Sequence, residues 1–384
     1  MVKTGRGAAG KADYIPELDG LRAVAILLVV IFHCRTIAQA RAGAEDAYIR
    51  IAEAGWIGVD LFFVLSGFLI TGILMDTVGQ AGYFRSFYIR RVLRIFPLYY
   101  AALAAYAVGY HVLGIERLAP ASTGAEVAHW FYVQNWLPLF GVEWTRPLAH
   151  FWSLGVEEQF YLVWPALVLV SARRNRVAQL CLWTIVFALV MRVLFWWAGV
   201  AEEGNFATVT KMDTLAIGGY LACLQRGAGN VARPGLRGRG PVVAFVVGAV
   251  AALAVALWGG SFFRPTNRHI FLFGLFPIAV LFGATLGLTL AARAASPWIR
   301  FLRTRPMIAI GKVSYGIYIV HWPLVLALQP IWPVPGGFWV RQGTFLVAIT
   351  LGSYLLAALS YYLYERRFLD LKDRLAPRAG EMGN

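Results

Sequence analysis

The sequence predicts an all-α integral membrane protein of about ten transmembrane helices, with both termini cytoplasmic. Three observations carry that expectation. Hydrophobic residues make up 59% of the 384 and charged residues only 14%, with 14 Trp and 17 Tyr. That composition excludes a soluble globular domain. Apolar segments long enough to cross a hydrocarbon core roughly 30 Å thick recur from end to end. The basic residues fall in alternate loops. With both ends inside, and Arg22 counted at the inner edge, inner segments hold 25 of the 35 Lys and Arg. This is the positive-inside pattern, so the net charge of +15 reports topology and not nucleic-acid binding.

The expected spans are residues 20–38, 56–75, 96–115, 152–171, 178–199, 212–225, 241–259, 270–291, 313–329 and 344–363. Residues 1–17 read as a basic cytoplasmic tail, 18–370 as the membrane domain and 371–384 as a second tail. No small-residue cleavage site follows the first apolar run, so the first span is expected to stay as a signal anchor. Cys34, Cys181 and Cys223 all lie in apolar surroundings. An odd number in helices argues against a disulfide framework.

The first span is bracketed by Arg22 and His33. Eleven residues make about three helical turns, so the two side chains share a face, with Cα atoms about 16 Å apart along the axis. An ionisable group at that depth is costly and marks a functional site by default. The second span carries Asp60 near its outer end, either capping the helix or serving the site. Its small Ser66 and Gly67 admit a close neighbour. Between the second and third spans, arginines and aromatics alternate at helical spacing over 83–97, expected as an amphipathic helix on the cytoplasmic surface. Arg90, Arg91 and Arg94 cluster on it as candidate phosphate ligands, because the guanidinium fork suits phosphate.

The longest outer loop, 116–151, contains an aromatic piece over 129–136 that reads as interfacial. The fourth span carries Glu157 and Glu158 roughly 10 Å below the surface, near the level of His33. Arg192 in the fifth span is close enough to the surface to snorkel. Asp213 sits at the rim of the sixth, next to Lys211, and the Gly/Arg-rich link 226–240 is expected to be flexible. The ninth span holds Ser314, Tyr315 and His321, and Pro323 is expected to kink it beside His321, which would bond across helices. No metal-ligand spacing or Ser nucleophile elbow is present, and neither is internal transporter symmetry.

These pieces together resemble the acyltransferase-3 family, integral-membrane acyltransferases that mostly modify bacterial cell-surface and exported sugars. The resemblance rests on Leu18-Asp19-Gly20-Leu21-Arg22 with ten residues before His33, and on Gly58-Val59-Asp60-Leu61-Phe62-Phe63 with Ser66-Gly67-Phe68. Arg90-Arg91 with Arg94 and Pro97, Trp152-Ser153-Leu154 with Glu157-Glu158-Gln159, and Ser314-Tyr315 with His321-Trp322-Pro323 complete it. Lys211 stands where members usually have Arg, and Arg367 where they have Pro. The fused C-terminal esterase-like domain of some members is not seen in the sequence.

The resemblance implies acyl transfer from cytoplasmic acyl-CoA, typically acetyl-CoA, to a hydroxyl on a sugar, polysaccharide, glycolipid or glycoside. Acyl-CoA would be a co-substrate, with no permanent cofactor and no metal. Arg22 with Arg90, Arg91 and Arg94 would bind the donor, and His33 would be the general base, oriented by Glu157 or Glu158. Asp60, Ser66, Asp213, Ser314, Tyr315 and His321 would serve the acceptor or support the site. Cys34 as an acyl carrier points about 100° away from His33. The implied location is the bacterial cytoplasmic membrane. The rival class is a transporter or lipid-binding channel relaying protons through His33, Glu157 and Asp213.

Overall fold

In the computed structural model the described residues are 14–35, 43–173, 175–227, 239–258, 267–332 and 335–375. Most of both expected tails and of the Gly/Arg-rich link lie outside them. Among the described residues there are sixteen α-helices and no strand. They are α1 (Pro16–Cys34), α2 (Ala44–Glu53), α3 (Gly58–Thr77), α4 (Tyr83–Ala107), α5 (Thr123–Trp130), α6 (Trp152–Ala172), α7 (Val177–Trp197) and α8 (Ala201–Gly204). After these come α9 (Thr208–Gly227), α10 (Arg239–Trp258), α11 (Leu275–Ala291), α12 (Pro297–Leu302), α13 (Arg305–Lys312), α14 (Ser314–Leu328), α15 (Phe338–Ser360) and α16 (Arg366–Leu375).

Each of the ten expected spans falls on a helix. Among the described residues six helices are long and apolar enough to cross a membrane, or seven if α13 and α14 form one broken span. The helices α1, α6 and α9 fall short of that standard. They carry Arg22 and His33, Glu157 and Glu158, and Lys211 and Asp213. The ionisable residues in these three helices lower their hydropathy, which is expected if they pack inside the bundle. Two of the lipid-like helices show the converse: α7 and α10 leave most of their apolar surface outside.

The helix α1 lies at the middle of the packing. It touches α2, α3, α12, α13, α14 and α15. On its far side α3 packs tightly on α9, and the reason is local. A Cβ at Gly67 would run into the Leu215 carbonyl, and one at Gly218 into that of Val64. Only glycine lets the two backbones come this close.

The structure departs from expectation at three points. The arginine-rich segment 83–97 is not a separate surface helix: α4 runs unbroken through Pro97 for 25 residues. Proline removes one amide donor and crowds the carbonyls before it. Here neighbours occupy carbonyls around it, since the Tyr315 hydroxyl donates to Ile95 O at 2.8 Å and that of Tyr364 to Pro97 O at 3.2 Å. Membrane helices tolerate proline inside a packed bundle. Second, a sharp bend that the sequence reading did not include lies at the start of the ninth span. The chain turns by 76° between α13 and α14, and α14 continues as helix through Pro323. Third, Arg192 does not snorkel. It is fully buried, donating to Thr210 O at 2.9 and 2.7 Å and pairing with Asp213 at 2.5 Å.

The loop 116–151 folds onto the bundle through α5 and two 3-10 turns, Gln134–Phe140 and Arg146–Phe151. His129, Gln134 and Asn135 are fully buried in it. Gln159 Nε2 donates to Tyr132 O at 2.7 Å and to Asn135 Oδ1 at 2.8 Å, fastening the loop to α6.

Candidate functional site

Two groups of side chains meet near the middle of the chain's packing. The first lines a cavity of about 120 Å³ among α1, α3, α4, α6 and α14. Arg22, Arg91 and Arg94 project into it, with Ser66, Glu157, Tyr161, Ser314 and Tyr315. Arg22 pairs with Asp19 at 2.8 Å, so the lining carries one positive charge in excess of its acids. The Nε of Arg91 is buried without a partner, and its guanidinium lies 5.9 Å from the ring centres of Phe87 and Tyr161. Arg90 does not reach the cavity, because α4 enters the bundle and turns that position away. The cluster legible as Arg90–Arg91–Arg94 is in space Arg22–Arg91–Arg94.

Glu157 lines the cavity with Ser66 and Tyr161, which bond each other, within the field of Arg91 and Arg22. Glu158, one residue on, projects away from the cavity toward Tyr132, Tyr99 and Tyr100. One oxygen, Glu158 Oε1, is buried with no partner. Neither carboxylate orients His33, contrary to the expectation from matched depth. Depth alone does not fix the rotation of α6 about its axis.

The second group is a row of histidines. His33, half-buried in the last turn of α1, lies 3.1 Å from His321 Nε2 through its own Nδ1. Bonding logic fixes the tautomers. His321 Nδ1 faces only carbonyls, Tyr318 O at 2.8 Å and Ile317 O at 3.1 Å, so it carries the proton. His321 Nε2 is then an acceptor, and His33 Nδ1–H donates to it and to Val29 O at 3.0 Å. The lone pair of His33 is left on Nε2, which has no hydrogen bond among the described residues. His150 completes the row, with ring centres 5.2 Å from His321. Its Nε2–H makes a long bond, 3.4 Å, to Ile319 O, the carbonyl that Pro323 leaves without an amide four residues on. Its Nδ1 is buried and unpartnered. His150 escaped the sequence reading. Its only signal was a histidine two residues before Trp152-Ser153-Leu154.

Tyr318 joins the two groups. It lines the cavity, and its ring lies 5.6 Å from His321 and 5.4 Å from His150. Its hydroxyl donates to His150 O at 2.5 Å, so Ser153 Oγ must be the donor in the 2.5 Å bond between them. Neither His33 nor His321 lines the cavity.

The remaining candidates form a sealed charge cluster between α3, α7 and α9. Asp60 faces Lys211 at 3.5 Å and Asp213 pairs with Arg192, all four almost fully buried. The Lys211 ammonium lies 5.4 and 5.8 Å from the ring centres of Trp56 and Trp152. Equal numbers of acids and bases make the cluster neutral, as burial requires. Tyr315 is committed to Ile95 O, and Cys34 is fully buried.

A family model described as an acyltransferase domain, the acyltransferase-3 family, matches residues 15–359. The chain belongs to the acyltransferase-3 family. Among relatives, it is 30% identical over 371 residues to the putative peptidoglycan O-acetyltransferase YrhL of Bacillus subtilis, covering 92% of this chain and 54% of that protein. It is 30% identical over 338 residues to the peptidoglycan O-acetyltransferase OatA of Listeria monocytogenes, covering 83% and 50%. The O-acetyltransferase OatA of Staphylococcus aureus NCTC 8325 is 28% identical over 369 residues, covering 92% and 57%. The chain thus spans about half the length of the curated relatives it matches. No solved structure matches it. As an acyltransferase-3 protein, it holds in one bundle an arginine-lined cavity and a histidine whose lone pair is unspent.

Proposed function

We propose that this chain is a multi-pass O-acetyltransferase of the bacterial cytoplasmic membrane, moving an acetyl group from cytoplasmic acetyl-CoA to a hydroxyl of a cell-wall carbohydrate. It spans the bilayer ten times with both termini inside. The observation that carries the reading is the pairing of His33 with His321 behind Tyr318, on the far side of the cavity holding Arg22, Arg91 and Arg94. Its relatives named as peptidoglycan O-acetyltransferases support the acceptor class.

In this reading the donor phosphates meet Arg22, Arg91 and Arg94, whose excess positive charge is unspent. The thioester lies in the cavity toward Ser153 and Tyr318. His33 Nε2 takes the proton of the acceptor hydroxyl as its oxygen attacks the thioester carbonyl. The carbon–sulfur bond breaks, and the thiolate leaves with the proton that His33 returns. The imidazolium formed in between is favoured twice. Its Nδ1–H is held by His321 and Val29 O, and it sits in the last turn of α1, at the negative end of the helix dipole. His321 does for His33 what an orienting carboxylate does in other bases.

The test is thiol release from acetyl-CoA by the membrane-embedded protein, with and without peptidoglycan fragments. Release should rise with acceptor and vanish in His33→Ala. Acceptor-stimulated release that survives in His33→Ala would overturn the mechanism.

A further inference from the structure

The loop between α4 and α6 encloses a second, open cavity of about 490 Å³ that the donor route does not use. Its volume is in the range of small-ligand sites, roughly 300–1,000 Å³. Pro138, Glu143, Trp144, Arg146 and Ala149 are among its lining residues. Glu143 and Arg146 are exposed, and neither side chain forms a hydrogen bond or ion pair among the described residues. Trp144 is clamped, with Nε1–H donating to Gln134 O at 2.8 Å and its ring edge-on to Phe206 at 4.5 Å.

The cavity is tied to the histidine row at two points. Trp322 Nε1–H donates to the carbonyl of Arg146 at 2.8 Å, while the same indole lies 4.7 Å, centre to centre, from the His33 ring. One side chain therefore spans from the cavity rim to the half-buried base. The 3-10 turn Arg146–Phe151 also leads directly from the rim to His150, which packs on His321.

We propose that this cavity is the acceptor subsite and that it takes a sugar ring bearing both free hydroxyls and a carboxylate. The inference rests on the proposed transfer reaction and deepens it. A rigid indole gives a face for the apolar side of a sugar ring at little entropic cost. The Glu143 carboxylate accepts hydroxyl protons, and Arg146 offers a planar fork that pairs with a carboxylate. Donor and acceptor then approach His33 from opposite sides, the thioester past Tyr318 and the hydroxyl past Trp322.

The full-length protein in bilayer discs tests this with two probes, an anionic disaccharide released from peptidoglycan without its peptide, whose muramic acid ring keeps a free carboxylate, and a neutral chitotetraose. Arg146→Gln should raise the acceptor KM tenfold or more for the anionic probe and less than threefold for the neutral one. Glu143→Gln should raise it about tenfold for both. The acetyl-CoA KM should stay within twofold in both variants, and Glu116→Gln, elsewhere on the loop, should match wild type throughout. Acceptor KM values within twofold of wild type in both variants would overturn the subsite. If wild type turns over neither probe, anisotropy of the fluorescently labelled peptide-free anionic disaccharide decides. Binding lost in Arg146→Gln supports the subsite, whereas no binding by wild type, or binding unchanged in both variants, overturns it. Absence of any acetyl-CoA turnover counts against the transfer reaction alone.

Discussion

Replacing His321 by alanine separates an orienting group from a packing residue. The side chain is fully buried, and its Nε2 accepts Nδ1–H of His33 at 3.1 Å. When His33 takes a proton, that bond becomes one to a charged donor, worth roughly 1.5–3 kcal/mol. At 1.36 kcal/mol per decade the corresponding rate loss is roughly tenfold to 150-fold. Val29 O, at 3.0 Å, still accepts the same proton in the variant, so the loss should fall near tenfold. His33→Ala removes the base itself and should cost 10²–10⁴-fold, the scale of general-base contributions. His321→Gln, whose amide oxygen can accept, should recover part of the loss. Steady-state kinetics in bilayer discs would report a lower kcat with an unchanged acetyl-CoA KM in His321→Ala. A wild-type kcat in His321→Ala, or equal losses in kcat and donor affinity with no recovery in His321→Gln, would refute the assignment.

Arg22→Ala should weaken CoA binding by roughly 1.5–3 kcal/mol, and Arg22→Lys should recover only part, by calorimetric titration. Glu157→Gln should alter the same affinity more than kcat, since Glu157 belongs to the arginine cavity. Single cysteines in place of Ser86 and Gly124 should label from opposite sides of the membrane, and labelling from one side would remove the ten-span topology and the donor route with it. Arg192→Ala strands Asp213 as a buried, unpaired charge and should cost about 3–5 kcal/mol, read as a lowered Tm in detergent. His129, in α5 of the loop 116–151, has its pKa held below the ordinary value, chiefly by burial. The unfolded loop binds the extra proton more readily, so loop stability should be full above about pH 6.5 and fall as pH drops below it. Proteolysis of the loop should therefore speed up on acidification in wild type and less so in His129→Gln.

Periodicity along one helix was legible, and relations between helices were not. The interval from Arg22 to His33 fixes a shared face in any α-helix, and the small Ser66–Gly67 pair announced the close approach now taken by α9. The partner of His33 depends on the bend between α13 and α14, which aims His321 at α1. Nothing local encodes that bend as proline would, and Pro323, the residue that reads as a kink, lies within α14 and frees a carbonyl for His150. The same reasoning explains Arg90. Its spacing to Arg94 is correct, but one face of α4 meets the cavity and Arg91, not Arg90, lies on it with Arg94.

Charge showed the opposite limit. Arg192, near a helix end, has a cheap route to the surface, so nothing in its own helix argues for burial. What holds it inside is Asp213 on α9, paired next to Lys211 and Asp60. Each of these ionic residues read singly is a rim or capping group, and neutrality comes only from pairing, Arg192 with Asp213 and Lys211 with Asp60. A neutral set can be buried whole, but losing any member leaves a charge that the bundle cannot solvate. The cluster thereby fixes how α3, α7 and α9 meet, and α3 carries Ser66 and a wall of the arginine-lined cavity. Its contribution to function is the register of that wall, so Arg192→Ala should disturb acetyl-CoA affinity through α3 even though Arg192 touches no part of the cavity.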